Sequence, residues 1–279
     1  MTSTTGPSEP VLVLGGTGTV GRRVVAHLER AGVAARAAGR HTQPPFDWTV
    51  PASWQDILAG TERLFLLLPE DTALPVGFLD RAATAGARRI VLLSDRAVDV
   101  MGVTRLQEAE RAVRASVLDW TILRCDWFDQ DFETFLRDGV LAGHLCLPVG
   151  NASQGFVDAD DIAAVCAGLL MTNDRLGRVL ELTGPEALSF QDAVDTIGAV
   201  LGRPVTFDGT AVGYREQMTE AGLPPEVLDD LVDGFAALEA RGDTAPTGTV
   251  EDVLGRPARS FAEYATDAAS RGVWDRPVG

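Results

Sequence analysis

Residues 11–21 read VLVLGGTGTVG, an apolar strand that runs through Gly15-x-x-Gly18-x-x-Gly21 into a helix. No other stretch constrains the fold as much, because this order of elements suits a dinucleotide. Glycines let the chain turn tightly and let backbone approach a pyrophosphate, while the helix start offers unpaired N–H groups and the positive end of its dipole. Four apolar residues precede the turn, and Val20, Val24, Val25 and Leu28 recur after it at helical spacing. In that setting Gly15, Thr17, Gly18, Thr19, Val20 and Gly21 are the candidate cofactor-binding residues. Outside it, three glycines would signify only a flexible turn.

The pattern continues. Short apolar runs at 11–14, 33–38, 64–68, 90–93 and 120–123 alternate with helical stretches at 20–30, 54–59, 75–85, 104–115 and 127–137. Such runs read as strands buried on both faces, and the alternation predicts an α/β fold: a doubly wound parallel Rossmann sheet with helices on both sides. Beyond residue 145 the alternation loosens. Asp158, with Asp161 three positions on, signals a helix start of capping-box type. A short strand follows at 179–182, then an amphipathic helix over 189–201 ended by Gly202. The expected organisation is an irregular lead-in over 1–10, a cofactor-binding domain over 11–145, and a smaller, mainly helical lobe over 146–279 that closes the substrate cleft.

Composition narrows the function. The net charge of −16 argues against a nucleic-acid partner, which needs a positive field. No apolar run reaches membrane-spanning length, and the first ten residues lack the basic and apolar regions of a secretory signal, so cytoplasmic residence is expected. Cys125, Cys146 and Cys166 show neither disulfide nor metal-ligand spacing with the three histidines, so no metal is expected. All 24 basic residues are arginine. Schiff-base lysine chemistry and a lysine-assisted tyrosine are thereby excluded.

In a doubly wound sheet, ligands lie beyond the carboxyl ends of the strands. After the second strand comes Ala38-Gly39-Arg40, with no acidic residue for a ribose hydroxyl. Arg40 either meets a 2′-phosphate, which favours NADP(H), or is a surface arginine. Phe46 and Trp48 either flank an adenine or pack in a loop. Leu68 and Pro69 follow the third strand and offer backbone contacts to the nicotinamide-ribose side. Ser94 and Asp95 follow the fourth. Ser94 either hydrogen-bonds a substrate carbonyl or merely ends the strand, and Asp95 is a weaker candidate for proton transfer. After the fifth strand, Asp126, Trp127, Phe128 and Phe132 are candidates for a substrate pocket, the aromatics being equally suited to core packing.

The chain resembles the NmrA-like group of atypical short-chain dehydrogenases/reductases. The motifs that carry the resemblance span most of it. They are Gly15-Gly-Thr-Gly-Thr-Val-Gly21, Phe65-Leu-Leu-Leu-Pro69, Glu110-Arg-Ala-Val-Arg-Ala-Ser116, Trp120-Thr-Ile-Leu-Arg124 and Phe156-Val-Asp-Ala-Asp-Asp-Ile162. Leu182-Thr-Gly-Pro-Glu-Ala-Leu188, Leu201-Gly-Arg-Pro204 and Leu254-Gly-Arg-Pro-Ala-Arg-Ser-Phe261 complete the set. The resemblance implies NADP(H) or NAD(P)(H) in the N-terminal domain and a cleft against the C-terminal lobe. Members include quinone and ketone reductases and proteins that only sense the cofactor ratio. Two positions depart from the group: a common helix lysine is Arg111, and a common asparagine is Asp131.

The Tyr-x-x-x-Lys pair of short-chain reductases is absent. Gln107 and Arg111 occupy the corresponding positions, and the only tyrosines are Tyr214 and Tyr264. The proton must then come from Ser94, a water, a protonated Asp95 or Asp126, or the substrate itself. A quinone suits the last route, because its product is a phenolate-type anion with a pKa of roughly 10. The expected activity is NADPH-dependent reduction of a quinone or aromatic polycyclic ketone with substrate-assisted protonation. The alternatives are a non-catalytic NADP(H)-binding redox sensor, or an isomerase or dehydratase that retains its cofactor. Oligomeric state is open.

Overall fold

The computed structural model describes residues 9–275, so most of the expected lead-in lies outside the described residues. Five strands of the first half, β1 (Val11–Leu14), β2 (Ala35–Ala38), β3 (Arg63–Leu66), β4 (Arg89–Asp95) and β5 (Asp119–Cys125), form one parallel sheet. Helices α1 (Gly21–Arg30), α2 (Trp54–Leu58), α3 (Phe78–Thr84) and α4 (Thr104–Ala115) connect them. Next come α5 (Arg137–Ala142), β6 (His144–Cys146), α6 (Ala159–Met171) and β7 (Arg178–Leu182). The chain continues through α7 (Phe190–Leu201), β8 (Thr206–Asp208), α8 (Ala211–Glu220), α9 (Pro225–Arg241), α10 (Thr249–Leu254) and α11 (Phe261–Ser270).

The strand order is β2-β1-β3-β4-β5-β7, and it reverses between β1 and β3, where a doubly wound sheet binds its ligand. β7 pairs with β5, so the sheet draws its last strand from beyond residue 145. This strand is the one expected at 179–182, and it returns to the edge of the sheet.

Period-two alternation assigns the two faces. Val11 and Val13 of β1 join Val24, Leu28, Ile162 and Leu169 under α1 and α6. Leu12 and Leu14 join Trp54, Phe78, Leu106 and Val113 under α2, α3 and α4. Both sets are fully or almost fully buried, which explains the unbroken apolar strands. A separate aromatic core, with Phe132, Phe156, Phe190, Phe261 and Tyr264, holds the C-terminal lobe together around the two-stranded β6–β8 sheet. α7 ends at Gly202 in the left-handed conformation, as the sequence predicts, and Ser189 and Asp192 form a capping box at its start.

Two local expectations are corrected. The stretch 127–137 is not one helix but a 3-10 turn over Asp129–Glu133, then α5. Asp158 caps α6 through the Asp160 N–H, whereas Asp161 turns instead to the Arg259 N–H and the Arg256 guanidinium. No helix among the described residues is long and apolar enough to cross a membrane.

Candidate active site

The Gly-rich loop divides its work among three glycines. Gly15 has φ +75, a conformation that side chains rarely adopt. A Cβ on Gly21 would lie 2.1 Å from the Gly15 carbonyl oxygen, so only glycine lets α1 pack against the turn. At Gly18 a Cβ would meet only that same oxygen at 3.4 Å, which leaves the outer side of the loop open to a ligand. No side chain caps the N-terminus of α1, and the positive end of its dipole suits an anion. Val20 is buried beneath this turn, Thr17 is exposed, and the Thr19 carbonyl accepts from Arg23 at 2.7 Å. The residues fit a bound pyrophosphate.

Arg40 is exposed just past β2, two residues beyond buried Ala38. Phe46 and Trp48 are buried in an edge-to-face pair with ring centroids 4.7 Å apart, inside the α2–α3 core. Between the two alternatives for these rings, packing applies. β3 stops at Leu66, so Leu68 and Pro69 lie in the loop after it; Leu68 is buried and Pro69 is exposed.

β4 extends two residues further than expected, so Ser94 and Asp95 are its last members and pair with Arg124 and Cys125. The Ser94 hydroxyl donates to Glu110 Oε1 at 2.7 Å. Glu110 is 1% exposed and also takes two hydrogen bonds from Arg124 and one from Arg114. Burial alone would raise the Glu110 carboxyl, but hydrogen bonds from Arg124 and Ser94 outweigh it and hold it below its ordinary range. Ser94 thus belongs to an anchor between sheet and helix. Asp95 accepts from the Ala97 N–H at 2.6 Å, and burial raises its pKa.

Asp126, buried after β5, accepts from Arg96, the Gly155 N–H, the Thr244 hydroxyl and the Trp127 N–H. These bonds make it a fastener between the sheet edge and the lobe. Trp127 is half-buried, with Phe190 edge-on at 5.1 Å, Phe235 of α9 stacked at 6.5 Å, and exposed Phe135 tilted at 6.3 Å. Phe128 is partly buried and bridges to Val157, whereas Phe132 is fully buried in the lobe core. Tyr214 and Tyr264 are also core residues.

Three charged groups at this edge, Asp131, Glu70 and Arg105, lie outside the candidate residues that the sequence offers. Asp131 lies on the 3-10 turn after β5, with Oδ2 accepting from the Phe128 N–H at 3.0 Å. Its charge environment includes Glu70, from the loop after β3, and Asp95. Arg105 of α4 stands in electrostatic range of Glu70, Asp95 and Asp71, and its Nη1 is buried without a hydrogen-bond partner. The available signal was the replacement of the group's asparagine by Asp131 in a chain without the Tyr/Lys pair. Among the described residues, no cluster of three or more His, Cys, Asp or Glu could hold a metal ion.

Comparison with known proteins agrees with this architecture. The chain is 31% identical to an uncharacterized oxidoreductase of Bacillus subtilis, over 95% of this chain and 96% of that one. It is 30% identical to a (4-alkanoyl-5-oxo-2,5-dihydrofuran-3-yl)methyl phosphate reductase of Streptomyces griseus, over 93% and 98%. Among solved structures, an NADPH-dependent quinone oxidoreductase from Escherichia coli, complexed with NADPH, superposes with a TM-score of 0.80 at 20% identity, covering 93% of this chain and 99% of that one. No family model matches the chain.

Proposed function

The chain belongs to the NmrA-like group of atypical short-chain dehydrogenases/reductases, and from that membership and the site geometry we propose that it is an NADPH-dependent reductase of a quinone or aromatic polycyclic ketone. The observation that carries the acceptor class is Trp127. It stands half-buried directly after β5, in ring contact with Phe135 and Phe235, and offers aromatic surface at the carboxyl edge of the sheet. The solved quinone oxidoreductase and the reductase from Streptomyces griseus support a conjugated carbonyl acceptor.

Residues 15–21 and the first turn of α1 hold the pyrophosphate. Arg40 meets the 2′-phosphate, and the backbone of Leu68 and Pro69 borders the nicotinamide ribose. NADPH, when bound, supplies the hydride. The aromatic side chains orient a planar acceptor and exclude water from one of its faces.

The test is steady NADPH oxidation by the purified protein with a panel of quinones and polycyclic aromatic ketones. Turnover with members of that panel is expected. Tight NADPH binding without turnover of any of them would make the protein a redox sensor. In the same assay, Arg40→Ala is expected to weaken NADPH by roughly 10- to 100-fold, the worth of charge-assisted hydrogen bonds to the phosphate, and to leave NADH unaffected. Equal losses for both would remove the phosphate role of Arg40.

A further inference from the structure

We propose that Asp131 is the general acid of the reduction, giving the carbonyl oxygen its proton as hydride reaches the carbonyl carbon. This deepens the reductase reading and rests on it. Position is the first ground. The 3-10 turn after β5 brings the Asp131 carboxyl into electrostatic range of Glu70, after β3, and Asp95, at the end of β4. Asp131 thus follows β5, beside the end of β4, on the carboxyl edge where a doubly wound sheet binds its ligands.

The second ground is how the group is held. The Phe128 N–H fixes Oδ2, while the side chain as a whole is only partly buried. A carboxyl held in one orientation presents its proton in one direction. The residues of the usual donor pair do not compete. Gln107 donates to the Val98 carbonyl, and the Arg111 side chain is 70% exposed.

The third ground is charge. Burial first, and then the negative charges of Glu70 and Asp95, raise Asp131 to about 7 against the opposing Phe128 N–H bond. An acid tuned close to neutrality holds its proton before the reaction and yields it during the reaction. Asp95, raised first by its own burial, also feels the other charged groups at this edge. Asp126 raises it, while Arg241 of α9 and Arg105 of α4 lower it. Asp129, on the same turn, is also raised, first by burial and then by Asp158, but it is 0% exposed and sealed from the cleft.

The step balances. NADPH, when bound, would supply the hydride, its own C–H bond breaking as it is oxidised to NADP+, so that the new C–H bond forms on the acceptor and the carbonyl π electrons shift onto oxygen. The Asp131 O–H bond breaks, the product O–H bond forms, and Asp131 is left as a carboxylate that regains a proton from water.

The test pairs a titration with kinetics. Asp131→Asn preserves an acceptor for the Phe128 N–H but cannot donate an acidic proton. Carbon NMR of the cofactor-free protein is expected to show a carboxyl titrating near pH 7 that is lost in Asp131→Asn and retained in Asp129→Asn. With an acceptor that is turned over, wild-type kcat is expected to fall as pH rises through about 7. Asp131→Asn should lose roughly 100-fold or more in kcat and that pH dependence, with unchanged NADPH affinity. An Asp131 that titrates below pH 5 with ordinary carboxylates overturns the proposal, whether or not an acceptor is turned over. So does an Asp131→Asn enzyme with unaltered kcat and pH profile, which returns protonation to the substrate and leaves the reductase reading intact.

Discussion

At the scale of single residues, a buried carboxylate decides what its neighbours can do. Glu110 is almost wholly enclosed and accepts four hydrogen bonds, one from Ser94, two from Arg124 and one from Arg114. The Ser94 proton is therefore committed to a charged acceptor inside the protein. Ser94→Ala removes one of those four bonds and is expected to cost about 1–2 kcal/mol of stability with kcat unchanged, since hydrogen bonds to charged groups are worth about that much. Chemical unfolding and steady-state kinetics on the same preparation check this. A large fall in kcat at unchanged stability would restore Ser94 to the substrate. Asp95 and Asp131 differ from Ser94 in kind, because burial raises both and leaves each able to hold a proton at higher pH than an ordinary carboxyl.

At the scale of elements, local signals were legible and remote ones were not. The strand–glycine–helix unit at 11–30 forms as expected because its cause is local: an unbroken apolar run, one left-handed glycine and one glycine in close contact. The α7 boundaries follow equally from a capping box and a terminal glycine. Strand ends were less legible. β4 gains Ser94 and Asp95 because β5 runs on to pair with them, a partner 30 residues away. The expected helix at 127–137 fails for a similar reason. The Asp129 N–H bonds to the Val157 carbonyl, and the Asp131 carboxylate takes the Phe128 N–H. Those bonds tighten the segment into a 3-10 turn and set the position of Asp131. The candidate acid was hidden by the same long-range contacts that create it. Asp161 likewise spends its carboxylate on residues 256 and 259, so its capping role could not be read from spacing.

At the scale of the whole molecule, the proposed acceptor site depends on how the C-terminal residues are fastened to the edge of the sheet. Asp126 is a principal fastener. Its buried carboxylate ties Arg96, beyond β4, to Gly155 and Thr244 of the lobe side, and Arg96 reaches on to Glu181 of β7 and the Ala245 carbonyl. The cofactor loop stands on the other side of the sheet centre, after β1, and shares none of these bonds. Asp126→Ala should therefore separate two properties. It strands buried donors and breaks a largely buried ion pair, a loss of roughly 3 kcal/mol that the surviving Arg96–Glu181 contact softens. The lobe then rides loosely over the acceptor site, so KM for the acceptor rises while NADPH affinity stays the same. Thermal unfolding, acceptor kinetics and a fluorescence titration with NADPH measure the three quantities on one variant. Weakened NADPH binding at undiminished stability would place Asp126 against the cofactor and remove it from the joint between sheet and lobe.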